Sequence, residues 1–178
     1  MKVHEKRPIL AVALDFPDLD QALDMVTQLG DTVEYYKLGM ELYYACGPSG
    51  LARLQEGGKK IFLDLKLHDI PNTVAAAVRS VVRQGIWMIN VHAAGGSIMM
   101  RAAAEAAADE AARLGIERPY VTAVTVLTSL SPAMLHEELG VRRSLDEQVL
   151  FWSELSLKAG LDGIVCSPHE VIPVRRAL

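Results

Sequence analysis

The chain is poor in cysteine and in long apolar runs, and each shortage excludes a class of protein. Its 178 residues include only Cys46 and Cys166, which are too few and too far apart for a disulfide scaffold or a zinc knuckle. The apolar run 9–14 ends at Asp15, whereas a membrane span needs about 20 residues. We therefore expect no signal peptide, no membrane partner and a cytoplasmic location.

An excess of positive charge is also missing. Lys and Arg total 18 against 22 Asp and Glu, which gives a net charge of -4. A nucleic-acid-binding protein needs a basic face, so we expect no nucleic-acid partner. The composition, 51% hydrophobic and 22% charged, is typical of a globular domain.

Short β-branched runs alternate along the chain with longer segments of helical period. This alternation predicts an α/β fold with a parallel sheet, because parallel strands need crossover connections. The predicted strands are 9–15, 34–39, 60–66, 88–93, 120–127 and 163–167. The predicted helices are 19–29, 50–56, 73–84, 97–114, 144–159 and a last one from His169.

Six β-α units are used up by residue 178, whereas a (β/α)8 barrel takes about 250 residues. We therefore expect one domain over 1–178, a TIM barrel that stops before its last two β-α units. The alternative is a complete six-stranded doubly wound sheet. No glycine-rich phosphate loop follows any predicted strand, which argues against that alternative.

The third predicted strand carries an Asp-x-Lys-x-x-Asp pattern. Alternation along a strand places Asp64 and Lys66 on one face, and Asp69 follows the strand end. In a barrel this face points inward at the end where the chemistry takes place. A solvated ion pair is the structural alternative, but a buried charge is costly without a partner, so these groups need one another.

The first two predicted strands also end in charged residues, Asp15 and Lys37. Alternating charges favour one another's ionised forms, so Lys66 is expected to be an ammonium that stabilises a carbanion and protonates it. This array predicts a cofactor-independent decarboxylase or proton-transfer enzyme. Alternatively, Asp15, Asp64 and Asp69 hold Mg²⁺, which the two lysines in the same place disfavour.

Two histidines lie near this pattern in the sequence. His68 falls inside it, and we expect it to have a structural role beside Pro71. His92 follows the fourth predicted strand with no second histidine at metal-ligand spacing, so we expect a hydrogen-bonded histidine rather than a ligand.

Residues 62–74, FLDLKLHDIPNTV, resemble the signature of the orotidine 5'-phosphate decarboxylase family. Further segments match it in order: 13–16 (ALDF), 37–42 (KLGMEL), 90–96 (NVHAAGG), 123–129 (AVTVLTS) and 161–167 (LDGIVCS). The resemblance covers essentially the whole chain. It implies decarboxylation of orotidine 5'-phosphate to UMP in de novo pyrimidine synthesis, with no metal and no organic cofactor.

The resemblance also implies a role for each residue of the pattern. Lys66 is expected to protonate C6 of the pyrimidine after carbon dioxide leaves, with the Asp64 carboxylate next to the scissile group. Lys37 and Asp15 are expected to hold the ribose hydroxyls, and Thr128 to border the pyrimidine. A homodimer with shared active sites is implied, because Asp69 of the family reaches into the neighbouring site with Thr73 nearby.

One departure from the family concerns the phosphate. The family grips it with residues after the sixth strand, including a Gln and an Arg, and these find no counterpart before Leu178. We therefore expect little activity from these residues alone, and an inactive fragment that completes a split barrel stays an alternative. Another is a Mg²⁺-dependent sugar-phosphate decarboxylase or aldolase of the same barrel group, although the HDIPNT continuation favours the pyrimidine enzyme.

Overall fold

Strands and helices alternate throughout the computed structural model, which describes residues 8–178. The strands are β1 Ala11–Ala13, β2 Tyr35–Gly39, β3 Lys60–Leu67, β4 Met88–His92, β5 Tyr120–Val124 and β6 Gly163–Val165. The helices are α1 Leu19–Leu29, α2 Met40–Leu54, α3 Pro71–Val82, α4 Gly96–Leu114, α5 Pro132–Glu137, α6 Leu145–Lys158 and α7 Val171–Ala177. Two compact units divide at Asp64 and Leu65.

The first unit contains a parallel ladder in which β2 pairs with β1 and with β3. Several side chains of this ladder are fully buried, among them Tyr36, Leu38 and Leu63. Helix α1 is capped by Asp18, whose carboxylate accepts the N–H of Gln21 at 3.0 Å. The ladder advances in chain order, whereas a doubly wound sheet reverses its order at a switch point.

Helix α2 is longer than the sequence predicted. Gly47 interrupts it with a φ of 60°, and Pro48 follows inside the helix. A Gly-Pro pair normally marks a turn, so only 50–56 was predicted to be helical. The structure resumes the helix after this kink, and the part from Met40 to Gly47 is a feature that the sequence interpretation missed.

The second unit contains a parallel ladder of β4, β5 and β6, again in chain order. A small apolar cluster, formed by Val126, Leu135, Val149 and Val174, packs against Ile164 of β6. Helix α5 contributes Leu135 to this cluster, although the sequence predicted no helix there. Among residues 8–178, no helix is both long enough and apolar enough to cross a membrane.

Helices α3 and α4 enclose a charged cluster on the second unit. The Glu110 side chain is 4% exposed, and its carboxylate accepts hydrogen bonds from Arg113 at 2.7 Å and Arg83 at 2.5 Å. These bonds lower the pKa of Glu110 to about 2. The carboxylate therefore stays ionised between two guanidinium groups, as a buried charge requires.

Candidate active site

An ion-pair chain links a residue just after β1 with one residue each of β2 and β3 in the first unit. The Lys37 Nζ lies 2.8 Å from Asp15 Oδ1 and 3.5 Å from Asp64 Oδ2. The Asp64 side chain is 11% exposed and that of Asp15 is 64% exposed. Because water screens a buried pair less than an exposed one, the attraction between Lys37 and Asp64 is screened less than the attraction between Lys37 and Asp15.

Gly39 leaves the space that this ion-pair chain occupies. It ends β2, opposite Asp64 in the strand register. A Cβ atom at this position would lie 3.3 Å from both Asp15 Oδ1 and Lys37 Nζ. Sequence reasoning missed Gly39, although a glycine at a strand end signals the close approach of another group.

Lys66 has an unusual backbone conformation. Its φ is 50°, and no other residue except glycine has a positive φ among residues 8–178. The left-handed region costs an L-residue about 1–2 kcal/mol, and such residues are concentrated at functional sites. The regular alternation that was used to predict the direction of Lys66 therefore stops at this residue.

Asn90 on β4 accepts a hydrogen bond from the backbone of Lys66. The Lys66 N–H donates to Asn90 Oδ1 at 2.7 Å. The Asn90 side chain is fully buried, and so are its strand neighbours Ile89 and Val91. A buried amide without a partner costs about 1–3 kcal/mol, so this bond stabilises both residues. Sequence reasoning missed Asn90, although a polar residue between two apolar ones in a strand is visible in the sequence.

Two stacked imidazoles lie near Lys66. The rings of His68 and His92 are 5.4 Å apart at 19°, and Trp152 meets His92 edge-on at 6.0 Å. The N–H of Ala94 donates to His92 Nδ1 at 3.2 Å, so Nε2 carries the proton of the neutral ring. Burial, and then the charges of His68 and Lys66, lower the pKa of His92.

The other predicted residues lie on exposed segments of the second unit. Asp69 Oδ1 accepts the N–H of Ile70 at 2.6 Å, immediately before α3. Thr73 is exposed in the first turn of α3. Thr128 follows β5 and lines a cleft together with residues that follow β6, such as Glu170. The structure thus brings Asp15, Lys37 and Asp64 together in the first unit. Lys66 belongs to the second unit, where its backbone N–H binds Asn90.

The donor set does not suit a divalent cation. In the first unit the Lys37 ammonium already lies between the carboxylates of Asp15 and Asp64. Across the described part of the chain, no three His, Cys, Asp or Glu side chains are grouped so as to hold a metal ion.

The family profile described as Orotidine 5'-phosphate decarboxylase / HUMPS family matches residues 8–177. The chain belongs to this family. A Moorella thermoacetica protein named orotidine 5'-phosphate decarboxylase is 47% identical over 177 residues, which are 99% of this chain and 70% of that protein. A Bacillus cereus protein of the same name is 48% identical over 166 residues, or 93% of this chain and 69% of that protein.

Crystal structures agree with this membership of the orotidine 5'-phosphate decarboxylase / HUMPS family. That of orotidine 5'-phosphate decarboxylase from Lactobacillus acidophilus has a TM-score of 0.89 and 39% identity, covering 96% of this chain and 76% of that one. An uncharacterized conserved protein from Geobacillus kaustophilus has a TM-score of 0.89 and 46% identity, covering 96% and 78%. The predicted fold class, an α/β chain of the TIM-barrel type with six β-α units, is confirmed.

Proposed function

We propose that this protein decarboxylates orotidine 5'-phosphate to UMP. The observation that carries this proposal is the Lys37 ammonium between two carboxylates, at the strand ends of a member of this family. The relatives named above as orotidine 5'-phosphate decarboxylases support the same substrate. We place the protein in pyrimidine biosynthesis and in the cytoplasm.

The proposed reaction breaks one carbon–carbon bond and forms one carbon–hydrogen bond. The bond between C6 and the substrate carboxylate breaks, its electron pair stays on C6, and carbon dioxide leaves. The Lys66 ammonium stabilises the developing carbanion and donates a proton to C6. UMP forms, and Lys66 is left as a neutral amine.

Asp64 is proposed to face the substrate carboxylate. Two carboxylates at close range repel each other, and this repulsion disappears when the substrate carboxylate becomes neutral carbon dioxide. The side chain is largely buried, so water weakens the repulsion little. Lys37 and Asp15 are proposed to hold the ribose hydroxyls, and Thr128 to border the pyrimidine.

An ultraviolet assay of orotidine 5'-phosphate consumption tests this function. Because little activity is expected from residues 1–178 alone, the expected result is a slow but detectable formation of UMP and carbon dioxide, without added metal and equally well in EDTA. Lys60→Ala is a matched control, because Lys60 begins the strand that carries Lys66 and pairs with Glu34 on the surface. Consumption that survives Lys66→Ala, or that Lys60→Ala abolishes, would contradict the proposed roles.

The competing function that the sequence leaves open is a sugar-phosphate decarboxylase or aldolase that uses Mg²⁺. Its mark would be turnover of a sugar phosphate that EDTA abolishes, with orotidine 5'-phosphate left intact. The lysine between the two carboxylates makes this outcome the less expected one.

We further propose a homodimer in which Asp69 and Thr73 of one subunit complete the site of the other. Both residues are exposed, which leaves them accessible to a second subunit. Mixed Asp69→Ala and Lys66→Ala subunits should then recover activity that neither variant has alone. Failure to recover it after demonstrated subunit exchange would argue against shared sites.

A further inference from the structure

We propose that Asn90 is a positioning residue for Lys66, holding the backbone conformation from which the lysine side chain reaches the reacting carbon. This inference rests on the proposed function for the role of Lys66. Its structural basis is the hydrogen bond from the Lys66 N–H to Asn90 Oδ1 at 2.7 Å, together with the positive φ of Lys66.

The Asn90 side chain is suited to this role because it cannot easily move. It is fully buried on β4, and both of its strand neighbours are fully buried as well. The backbone of Asn90 lies opposite that of Thr122 in the parallel pairing of β4 with β5. Asn90 Oδ1 therefore has a fixed position in the second unit, where it accepts the N–H of Lys66 near the end of β3.

The conformation of Lys66 explains why such a fixed point is needed. A lysine with a φ of 50° is in a region that L-residues avoid, and it returns to an extended conformation when nothing holds it. That return would swing the long side chain away from its present direction. Misplacing a catalytic group by about 1 Å can lower a rate about 100-fold.

The test compares Asn90→Ala with a control on the neighbouring strand. Thr122 is also buried, and its hydroxyl donates to the Ile89 carbonyl at 3.4 Å, so Thr122→Val removes a buried polar contact directly opposite Asn90. Asn90→Ala should lower kcat about 100-fold with little change in KM. Thr122→Val should leave kcat within about threefold of the starting protein, even where it lowers the unfolding temperature.

Asn90→Asp keeps an acceptor oxygen in the same place but puts a carboxylate at a fully buried position, so its kcat is compared with that of Asn90→Ala at a temperature where both variants are folded. The kcat of Asn90→Asp should be at least tenfold higher than that of Asn90→Ala. Equal losses in Asn90→Ala and Thr122→Val, each in proportion to lost stability, would overturn the positioning role. So would an Asn90→Asp variant no faster than Asn90→Ala.

Hydrogen exchange at the Lys66 amide gives a readout that needs no turnover. Exchange should be faster in Asn90→Ala than in the starting protein and unchanged in Thr122→Val. If the unsubstituted protein does not consume orotidine 5'-phosphate, the proposed function fails, and the exchange rates alone then judge whether Asn90 holds Lys66. Equal exchange in all three proteins would overturn the inference whatever the activity.

Discussion

The two units of the molecule hold their charged groups by different means. In the first unit, Lys37 is held by other side chains, through ion pairs of 2.8 Å and 3.5 Å to Asp15 and Asp64. In the second, Lys66 is held through its own backbone, by a positive φ and a hydrogen bond to Asn90. The ion pairs of Lys37 depend on charge balance and respond to salt, whereas the hydrogen bond that the Lys66 N–H donates to the neutral Asn90 amide depends on backbone geometry.

The largest expected effect tests whether the backbone-held lysine carries the chemistry. Lys66→Ala should lower turnover by up to about 10⁴-fold, because the proton donor is lost, while the unfolding temperature stays close to its starting value. An ultraviolet assay and a thermal melt measure the two quantities. A fall in stability as large as the fall in rate would break the comparison, since Lys66 would then be a structural residue.

Lys37→Ala tests the ion pairs that Lys37 forms with Asp15 and Asp64. It leaves Asp64 with less compensating charge in a largely buried position, so we expect a loss of about 1–3 kcal/mol in the free energy of unfolding. We also expect kcat/KM to fall about 100-fold, because the proposed ribose contact and a charge of the proposed site disappear together. Urea unfolding and steady-state kinetics measure these losses.

Asp15→Asn is the matched comparison for Lys37→Ala, because Asp15 pairs with the same lysine but is 64% exposed. It should cost no more than about 1 kcal/mol and should lose that effect in high salt. A larger cost for Asp15→Asn than for Lys37→Ala would contradict the view that burial decides the strength of these pairs.

The cluster of Glu110 with Arg83 and Arg113 is a charge-held group outside the proposed site. Because the pKa of Glu110 is about 2, below its ordinary value, its stabilising effect is present above about pH 4.5 and is lost as the pH falls through 2. Glu110→Gln should therefore lower the urea midpoint at pH 7, and the difference should shrink at pH 3. Turnover should be unchanged.

Glu154→Gln is the control for that measurement, since Glu154 forms an exposed ion pair with Lys158 at 3.3 Å. It should leave the urea midpoint nearly unchanged at every pH. A loss of turnover in Glu110→Gln would mean that the α3–α4 cluster influences the site.

The smallest expected effect concerns His92. Its pKa is lowered in the folded chain, so the stability it contributes is present above about pH 6.5 and is lost as the pH falls below that value. His92→Asn keeps a side-chain acceptor for Ala94 and should flatten the fall in unfolding free energy between pH 7.5 and 5. His68→Asn should flatten it less, because burial is the first cause of the lowered pKa. An unaltered slope in His92→Asn would assign the pH dependence to other groups.

The strands were predictable because their patterns are local. The predicted starts of β3, β4, β5 and β6 coincide with the observed ones, and so do both ends of α1. Strand β1 is shorter than predicted, since only Ala11–Ala13 pair with β2. The short helix α5 was missed, although Ser131 caps it and Pro132 begins it, because six residues show too little helical period.

The partners of the site residues were less predictable. That a charged residue lies in or just after each of the first three strands is visible in the sequence, and the pairing of Asp15 with Lys37 follows from adjacent parallel strands. The positive φ of Lys66 is not, because lysine rarely adopts it and no neighbouring glycine indicates it. The bond to Asn90 joins residues that are 24 positions apart, so only the folded chain reveals it.

The conformation of Lys66 creates a conflict between thermal stability and turnover at one position of the chain. Glycine adopts a positive φ without steric penalty, so Lys66→Gly should relieve strain of about 1–2 kcal/mol, less about 0.5–1 kcal/mol for the greater chain entropy of glycine, while removing the amine. A selection for heat resistance alone would therefore enrich a variant without the amine that we propose as the proton donor. Mutant libraries that are screened for higher thermal stability should therefore leave position 66 unchanged.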